Sequence, residues 1–292
     1  MLGAIIGDIV GSVYEFNNYR HKDFSPFFNK QSFFTDDTIC TVGVADALLR
    51  DADPAQTLQN WCKRYKHVGG WGNRFHDWIE EDIPSPYGSF GNGAAMRVSS
   101  VGLLASNLEE AVELSNRVTE ITHNHPEGLR GAAATAAAIY WAKSGLPAVE
   151  IRHLVSDVFG YEMSRTVDDI RPIYSFNETC METVPEALTC ALEASSYEDA
   201  IRNAVSIGGD SDTVAAIAGG LAEALYGLPA AIAEKGWGYV PSDMRQVMQN
   251  LYEKAGYPLQ LHKHLLTKDH DAPGTDKHCA IVDFRNIDYD DE

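Results

Sequence analysis

Apolar residues in this chain recur at helical spacing almost from end to end, and that periodicity narrows the folds open to it. Leu58, Trp61, Cys62 and Tyr65 stand at i, i+3, i+4 and i+7 behind Pro54, and Val214, Ala218, Leu221, Ala222 and Leu225 repeat the pattern. Residues 127–143, EGLRGAAATAAAIYWAK, are so rich in alanine that propensity alone favours a helix, and their small side chains suit a central helix packed closely by neighbours. Further helices are expected at about residues 111–122, 147–158, 185–194, 197–206 and 241–255, each opened or closed by Pro, Gly or a capping residue. Only CAIVDF, residues 279–284, looks like a strand. The fold class expected is all-α. No fixed-period repeat and no linker rich in Pro, Gly or Ser divides the helical pattern, so one domain over residues 1–265 is preferred to two. Residues 266–292 lose the helical period, end acidic, and read as a tail or accessory segment.

The first helix carries Gly3, Gly7 and Gly11 four apart, which leaves one face bare for another helix or a ligand to approach. Its opening run, MLGAIIGDIVGSVYEF, has no basic leader and holds Asp8 in its middle, which supports neither export nor anchoring. No other stretch approaches the roughly 18 to 20 apolar residues of a membrane span. Charge excludes other partners. With 23 Lys plus Arg against 42 Asp plus Glu, the net charge is 23 − 42 = −19, which argues against duplex nucleic acid and anionic membrane surfaces. Cys40, Cys62, Cys180, Cys190 and Cys279 are odd in number and contain no Cys-x-x-Cys pair, so neither a disulfide framework nor a zinc ribbon is indicated. A reducing, cytoplasmic location is the expectation.

Two short acidic clusters carry the most chemistry: Thr35, Asp36, Asp37 and Thr38 in FFTDDTIC, and Asp210, Ser211, Asp212 and Thr213 in IGGDSDTVAA. Each precedes a helical pattern, and capping accounts for either one alone. Two nearly identical clusters about 175 residues apart are harder to explain by capping. If the fold joins them, four carboxylates converge, and their repulsion calls for a divalent cation. The donors are all oxygen, which suits magnesium or manganese better than zinc, and the −4 charge of four aspartates balances two such ions. In GSFGNGAAMR, Gly88, Gly91 and Gly93 surround Asn92, a composition compatible with a plain turn or a phosphate cradle. In THNHPEG, His123 and His125 lie between two helical patterns, where either a cap or a ligand contact is open.

These residues together resemble the ADP-ribosylglycohydrolases, the family that includes the glycohydrolase reactivating dinitrogenase reductase and the ADP-ribosylserine hydrolases. The resemblance runs in order through GAIIGDIVGSVYEF (3–16), FTDDT (34–38), GSFGNGAAMR (88–97), THNHPEG (122–128) and AVSIGGDSDTVAAIAGGLAEALYG (204–227), and covers most of the chain to about residue 260. It implies a single compact, orthogonally packed multi-helix bundle with a central cleft holding two magnesium ions, manganese being a substitute. Thr35, Asp36, Asp37, Asp210, Asp212 and Thr213 are the implied metal ligands. Glu15 falls where many members hold a glutamate near the scissile ribose bond, with Asp37 or Asp210 as an alternative base. The loop Gly88, Ser89, Phe90, Gly91, Asn92 and Gly93 would hold diphosphate and distal ribose, with Phe90 stacking on adenine, and His123 would contact ADP-ribose. Asp8 is expected to be a buried hydrogen-bond partner, and Arg97 a packing or ion-pair residue.

The function implied is magnesium-dependent hydrolysis at ribose C1 of an ADP-ribosylated protein or small molecule, releasing ADP-ribose. A silent ADP-ribose binder of the same fold and a dimetal phosphoesterase are the rivals. The acceptor stays open among arginine, serine, a nucleic-acid end and a free metabolite. His262, His264, His270, His278 and Cys279 near the C-terminus are spaced irregularly, which favours solvated surface residues over a metal site.

Overall fold

A computed structural model describes residues 1–68, 70–259 and 261. Its helices are α1 (Leu2–Gly11), α2 (Asp36–Arg50), α3 (Pro54–Arg64), α4 (Asn73–Glu80), α5 (Gly93–Met96), α6 (Ser99–Leu104), α7 (Leu108–Thr119), α8 (Pro126–Lys143), α9 (Ala148–Phe159), α10 (Val167–Ile170), α11 (Cys180–Leu192), α12 (Tyr197–Ile207), α13 (Ser211–Tyr226), α14 (Ala230–Trp237) and α15 (Ser242–Ala255). Among the described residues no strand forms, only an isolated bridge between Gly91 and Thr179. The all-α expectation therefore holds. No helix among these residues is long and apolar enough to cross a membrane.

The centre of the molecule is a helix pair in which backbone touches backbone. Every residue of α1 is buried, as is α13 from Ser211 to Glu223. A methyl at Gly3 would lie 2.5 Å from the Gly219 carbonyl oxygen, one at Gly11 would lie 2.5 Å from Asp212 Cα, and one at Gly7 would strike the Ala215 carbonyl. The bare face read in the sequence is thus filled by α13, running antiparallel. The consequence is positional: the end of α1, and the Glu15 segment after it, lie against the start of α13 with its two aspartates. At the other end, the buried Glu223 carboxylate accepts from the Gly3 N–H at 2.8 Å and from the Tyr252 hydroxyl, while that hydroxyl accepts from the Leu2 N–H at 2.8 Å. Two amides that α1 cannot satisfy internally are bonded in this way.

Helix α8 forms a second buried axis through Ala132 to Ala142, packed by α6, α7, α11 and α13. Its small residues set the separations. A methyl on Gly131 would meet Cys180 Cβ at 2.7 Å, and one on Gly102 of α6 would meet the Ala136 carbonyl at 2.6 Å.

Two expectations need correction. Helix α11 begins at Cys180 rather than at Pro185, which sits inside it. The earlier start is fixed by contact rather than by propensity, since the Cys180 N–H donates to the Phe90 carbonyl at 2.9 Å and anchors the helix to the glycine loop. The four- to eight-residue helices α4, α5, α6, α10 and α14 were not expected. Such lengths hold too few turns for apolar periodicity to register. CAIVDF, the tail after residue 265 and its histidines lie outside the described residues.

Candidate active site

The two aspartate clusters converge. Thr213, in the first turn of α13, donates its hydroxyl to Asp37 Oδ2 in the first turn of α2 at 3.1 Å. Carboxylate oxygens of Glu15, Asp210 and Asp212 all lie within 4.8 Å of one another. Asp8 braces the first cluster from α1: it accepts from the Thr35 N–H at 3.0 Å, the Thr35 hydroxyl at 2.8 Å, the Thr38 N–H at 3.1 Å and the Thr38 hydroxyl. Its expected role as a buried hydrogen-bond partner is what the structure shows. Capping explains only part of the pattern. Thr35 does cap α2, accepting from the Asp37 N–H at 3.3 Å. Asp210, at the corresponding position of α13, makes no capping bond and instead accepts from Asn92 Nδ2 at 2.6 Å.

So many acids in one buried place raise each other's proton affinity. Burial first, then the Asp212 charge, pushes Asp8 and half-buried Asp36 up to about 7. Burial and the charges of Asp212, Asp36 and Asp8 push Glu15 up to about 9. Asp37 and Asp210 are driven well above the usual carboxylate range by burial and then by Asp212. Asp212 itself is raised by burial. One further atom shows what the centre fits. Among the described residues, Asp37 Oδ1 is fully buried with no hydrogen-bond partner, a costly condition for a carboxylate oxygen unless a cation answers it. An all-oxygen set built on Glu15, Asp210 and Asp212, with Asp37 joined to it through Thr213, matches a hard divalent cation.

The glycine loop is more tightly built than its composition suggests. The Gly88 N–H donates to Asn124 Oδ1 at 2.7 Å, Ser89 N–H to the Thr122 carbonyl at 3.4 Å, Gly91 N–H to Ser89 Oγ at 3.2 Å and Asn92 N–H to the Glu178 carbonyl at 2.7 Å. A fully open amide nest over residues 88–93 is therefore not what the structure holds. The Phe90 and Gly93 N–H groups are the two with no protein partner among the described residues. Phe90 is exposed, its ring 5.2 Å from that of His125. Asn92, expected to face phosphate, turns inward to Asp210 and Thr183.

His123 is buried beneath this loop. Its Nδ1 lies 2.7 Å from Arg97 Nη2, and burial followed by the Arg97 charge lowers its proton affinity well below the usual histidine range. Arg97 has no acceptor role, so Nδ1 must accept and the single ring proton must sit on Nε2. That nitrogen faces the loop: methyls at Gly91 and Gly93 would lie 3.5 and 3.4 Å from it. Arg97 is buried over the Phe75 ring, as the packing half of its expectation has it, makes no ion pair among the described residues, and fixes the His123 tautomer, a role its sequence position did not signal. His125 is the capping histidine, accepting from the Glu127 N–H at 3.1 Å.

A family model described as ADP-ribosylglycohydrolase matches residues 1–263. The chain belongs to the ADP-ribosylglycohydrolase family. That membership makes it an ADP-ribosyl glycohydrolase by class, with hydrolytic removal of ADP-ribose from an acceptor as the family's activity. The ADP-ribosylhydrolase ARH3 of Homo sapiens is 24% identical, covering 87% of this chain and 93% of its own. The ADP-ribosylarginine hydrolase Tri1 of Pseudomonas putida (strain GB-1) is 27% identical over 87% of this chain and 77% of its own. A solved structure titled ADP-ribosylglycohydrolase-related protein complex shares the fold at a TM-score of 0.66 and 22% identity, covering 87% of this chain and 97% of that one.

Proposed function

We propose that this enzyme binds two magnesium ions, with manganese able to replace them, and hydrolyses the bond between ribose C1 and the acceptor of an ADP-ribosylated protein or small molecule. Thr35, Asp36, Asp37, Asp210, Asp212 and Thr213 would hold the ions. When bound, such ions supply charge neutralisation and fixed coordination for vicinal ribose hydroxyls. The observation that carries this reading is the meeting of both aspartate clusters and Glu15 at one buried centre, joined through the Thr213–Asp37 bond.

The chain's own residues divide the remaining work. His123, held as an Nε2–H donor, and the Phe90 and Gly93 amides are directed toward the diphosphate and distal ribose, with Ser89 and the Gly88 and Gly91 turns shaping the loop. Phe90 offers an exposed face to adenine. Asn92 keeps Asp210 oriented. Glu15 moves the proton between attacking water and leaving acceptor atom as C1 passes through oxocarbenium character, with Asp37 or Asp210 as the alternative base.

The test is a panel of defined ADP-ribosylated substrates incubated with magnesium, with products read by mass spectrometry. Free ADP-ribose with unmodified acceptor is the expected result. AMP or inorganic phosphate would assign a phosphoesterase instead, and binding of ADP-ribose without turnover on any acceptor would leave a silent binder.

A further inference from the structure

Residues 12–35 cross from α1 to α2 without forming a helix or a strand, and Glu15 is carried on this crossing rather than on a rigid element. No cation draws its carboxylate into place. The charges acting on it are those of Asp212, Asp36 and Asp8, and one of its oxygens lies within 4.8 Å of oxygens of Asp210 and Asp212. Acids at that range repel unless a proton or a cation sits between them, so the backbone has to set where Glu15 stands. Asn18 ties that backbone down. Its Nδ2 donates to the Tyr14 carbonyl at 2.8 Å, the Glu15 carbonyl at 2.9 Å and the Gly209 carbonyl at 3.0 Å, and its Oδ1 accepts from the Gly209 N–H at 2.7 Å. One flat side chain thus closes the turn that holds Glu15 and pairs with both backbone groups of the residue before Asp210. The turn it grips is shaped for close approach: Gly208 and Gly209 have φ of 73° and 75°, and a methyl on Gly208 would lie 2.8 Å from Asn18 Oδ1. The Ser211 hydroxyl joins the same junction, donating to the Gly209 carbonyl at 3.2 Å and the Tyr14 carbonyl at 3.4 Å. Arg20 fixes the far side by donating to the Arg171 and Tyr174 carbonyls at 2.8 Å and to the Ile207 carbonyl at 2.9 Å.

We propose that Asn18 is a positioning residue of the reaction, a clamp that holds the Glu15 carboxylate at its working distance from Asp210 and Asp212. This rests on the hydrolase reading above, in which Glu15 is the group that moves the proton. Proton transfer works only within hydrogen-bond reach, so slack of about 1 Å in the backbone at Glu15 is enough to slow it. An asparagine suits the place because its amide is donor and acceptor at once. Aspartate there would keep the bond from the Gly209 N–H, but it would set a carboxylate against the Tyr14, Glu15 and Gly209 carbonyls with no proton to offer any of them.

The test is a double-variant cycle on the panel substrate that wild type hydrolyses fastest. Single-turnover release of ADP-ribose is measured for wild type, Asn18→Ala, Asn18→Asp, Glu15→Gln, Asn17→Ala and the combination of Asn18→Ala with Glu15→Gln, with melting temperature and calorimetric ADP-ribose affinity beside each. Asn18→Ala should lower the rate roughly tenfold to a hundredfold while ADP-ribose affinity stays within about threefold, and Asn18→Asp should lower the rate as well. Asn17→Ala, at the exposed neighbouring position, should match wild type. In the Glu15→Gln background the Asn18→Ala change should cost nothing further, because a clamp is idle once the group it holds cannot transfer a proton. Losses that multiply in the double variant overturn the proposal, as does an undiminished rate in Asn18→Ala or an equal fall in Asn17→Ala. A fall in ADP-ribose affinity that matches the fall in rate overturns it too, since Asn18 would then shape the binding site instead. If Asn18→Ala does not fold, Asn18→Asp, which keeps the Gly209 N–H bond, enters the same cycle with the same expected outcomes. A slow Glu15→Gln beside an unaffected Asn18 variant rejects the clamp alone, whereas no release of ADP-ribose by wild type from any substrate rejects the hydrolase reading along with it.

Discussion

Arg97 decides which nitrogen of His123 carries the proton. Removing the His123 ring deletes a donor aimed past Gly91 and Gly93 but leaves the aspartates untouched. His123→Ala should therefore weaken ADP-ribose binding by about 1.5 to 3 kcal/mol, the worth of a hydrogen bond to a charged group, with the magnesium-induced rise in melting temperature preserved. Calorimetry beside thermal melting checks both. Glu15→Gln divides chemistry from binding differently. Single-turnover release of ADP-ribose should fall roughly 100- to 10,000-fold, because an amide cannot transfer the proton, while ADP-ribose affinity stays within severalfold. Full turnover in the glutamine variant would remove Glu15 from the mechanism and pass the base role to Asp37 or Asp210.

At the scale of elements, the α1 and α13 contact is what places Glu15 and Asp8 beside Asp210 and Asp212. Gly7 faces the Ala215 carbonyl with no room for any side chain, so Gly7→Val should lower unfolding stability by about 3 kcal/mol or prevent folding, as severe overpacking does, and denaturant titration would show it. Much of this frame was legible beforehand. The Gly3, Gly7, Gly11 spacing announced a close approach, and the Asp36–Asp37 and Asp210–Asp212 clusters announced themselves because each is local in sequence. What stayed hidden depends on long-range contact. Nothing near Pro185 shows that α11 starts five residues earlier to bond the Phe90 carbonyl. Nothing in GSFGNG shows that Asn92 turns to Asp210, nor that most of the loop's amides are already engaged. Helices such as α5 and α10, four residues each, exist only because their neighbours hold them.

For the whole molecule, the buried carboxylates link stability to pH and to metal. Asp8 and Asp36 titrate at about 7 in the folded chain against about 3.9 when unfolded, so folding takes up protons as pH falls. The sign follows: this contribution is complete below about pH 4 and is lost as pH rises through about 7. Chelator-treated protein should lose melting temperature across that window. Bound divalent ions favour the ionised carboxylates, so magnesium should restore stability most strongly at the high end, and melting curves with and without the ion from pH 5 to pH 8 would reveal the crossing trend. A magnesium effect that shrank with rising pH would contradict it.

The most direct test of the account is calorimetric titration of magnesium into chelator-stripped protein at pH 7.5, for wild type, Asp37→Asn and Asp210→Asn. These two residues stand in different clusters yet belong to one centre, bridged by Thr213 and braced by Asn92. Wild type should bind two ions, with proton release visible as a dependence of the heat on buffer. Each asparagine variant should lose at least one ion together with magnesium-dependent ADP-ribose release. Magnesium binding that is absent in wild type, or unchanged in both variants, would contradict the claim that the two clusters form a single metal site.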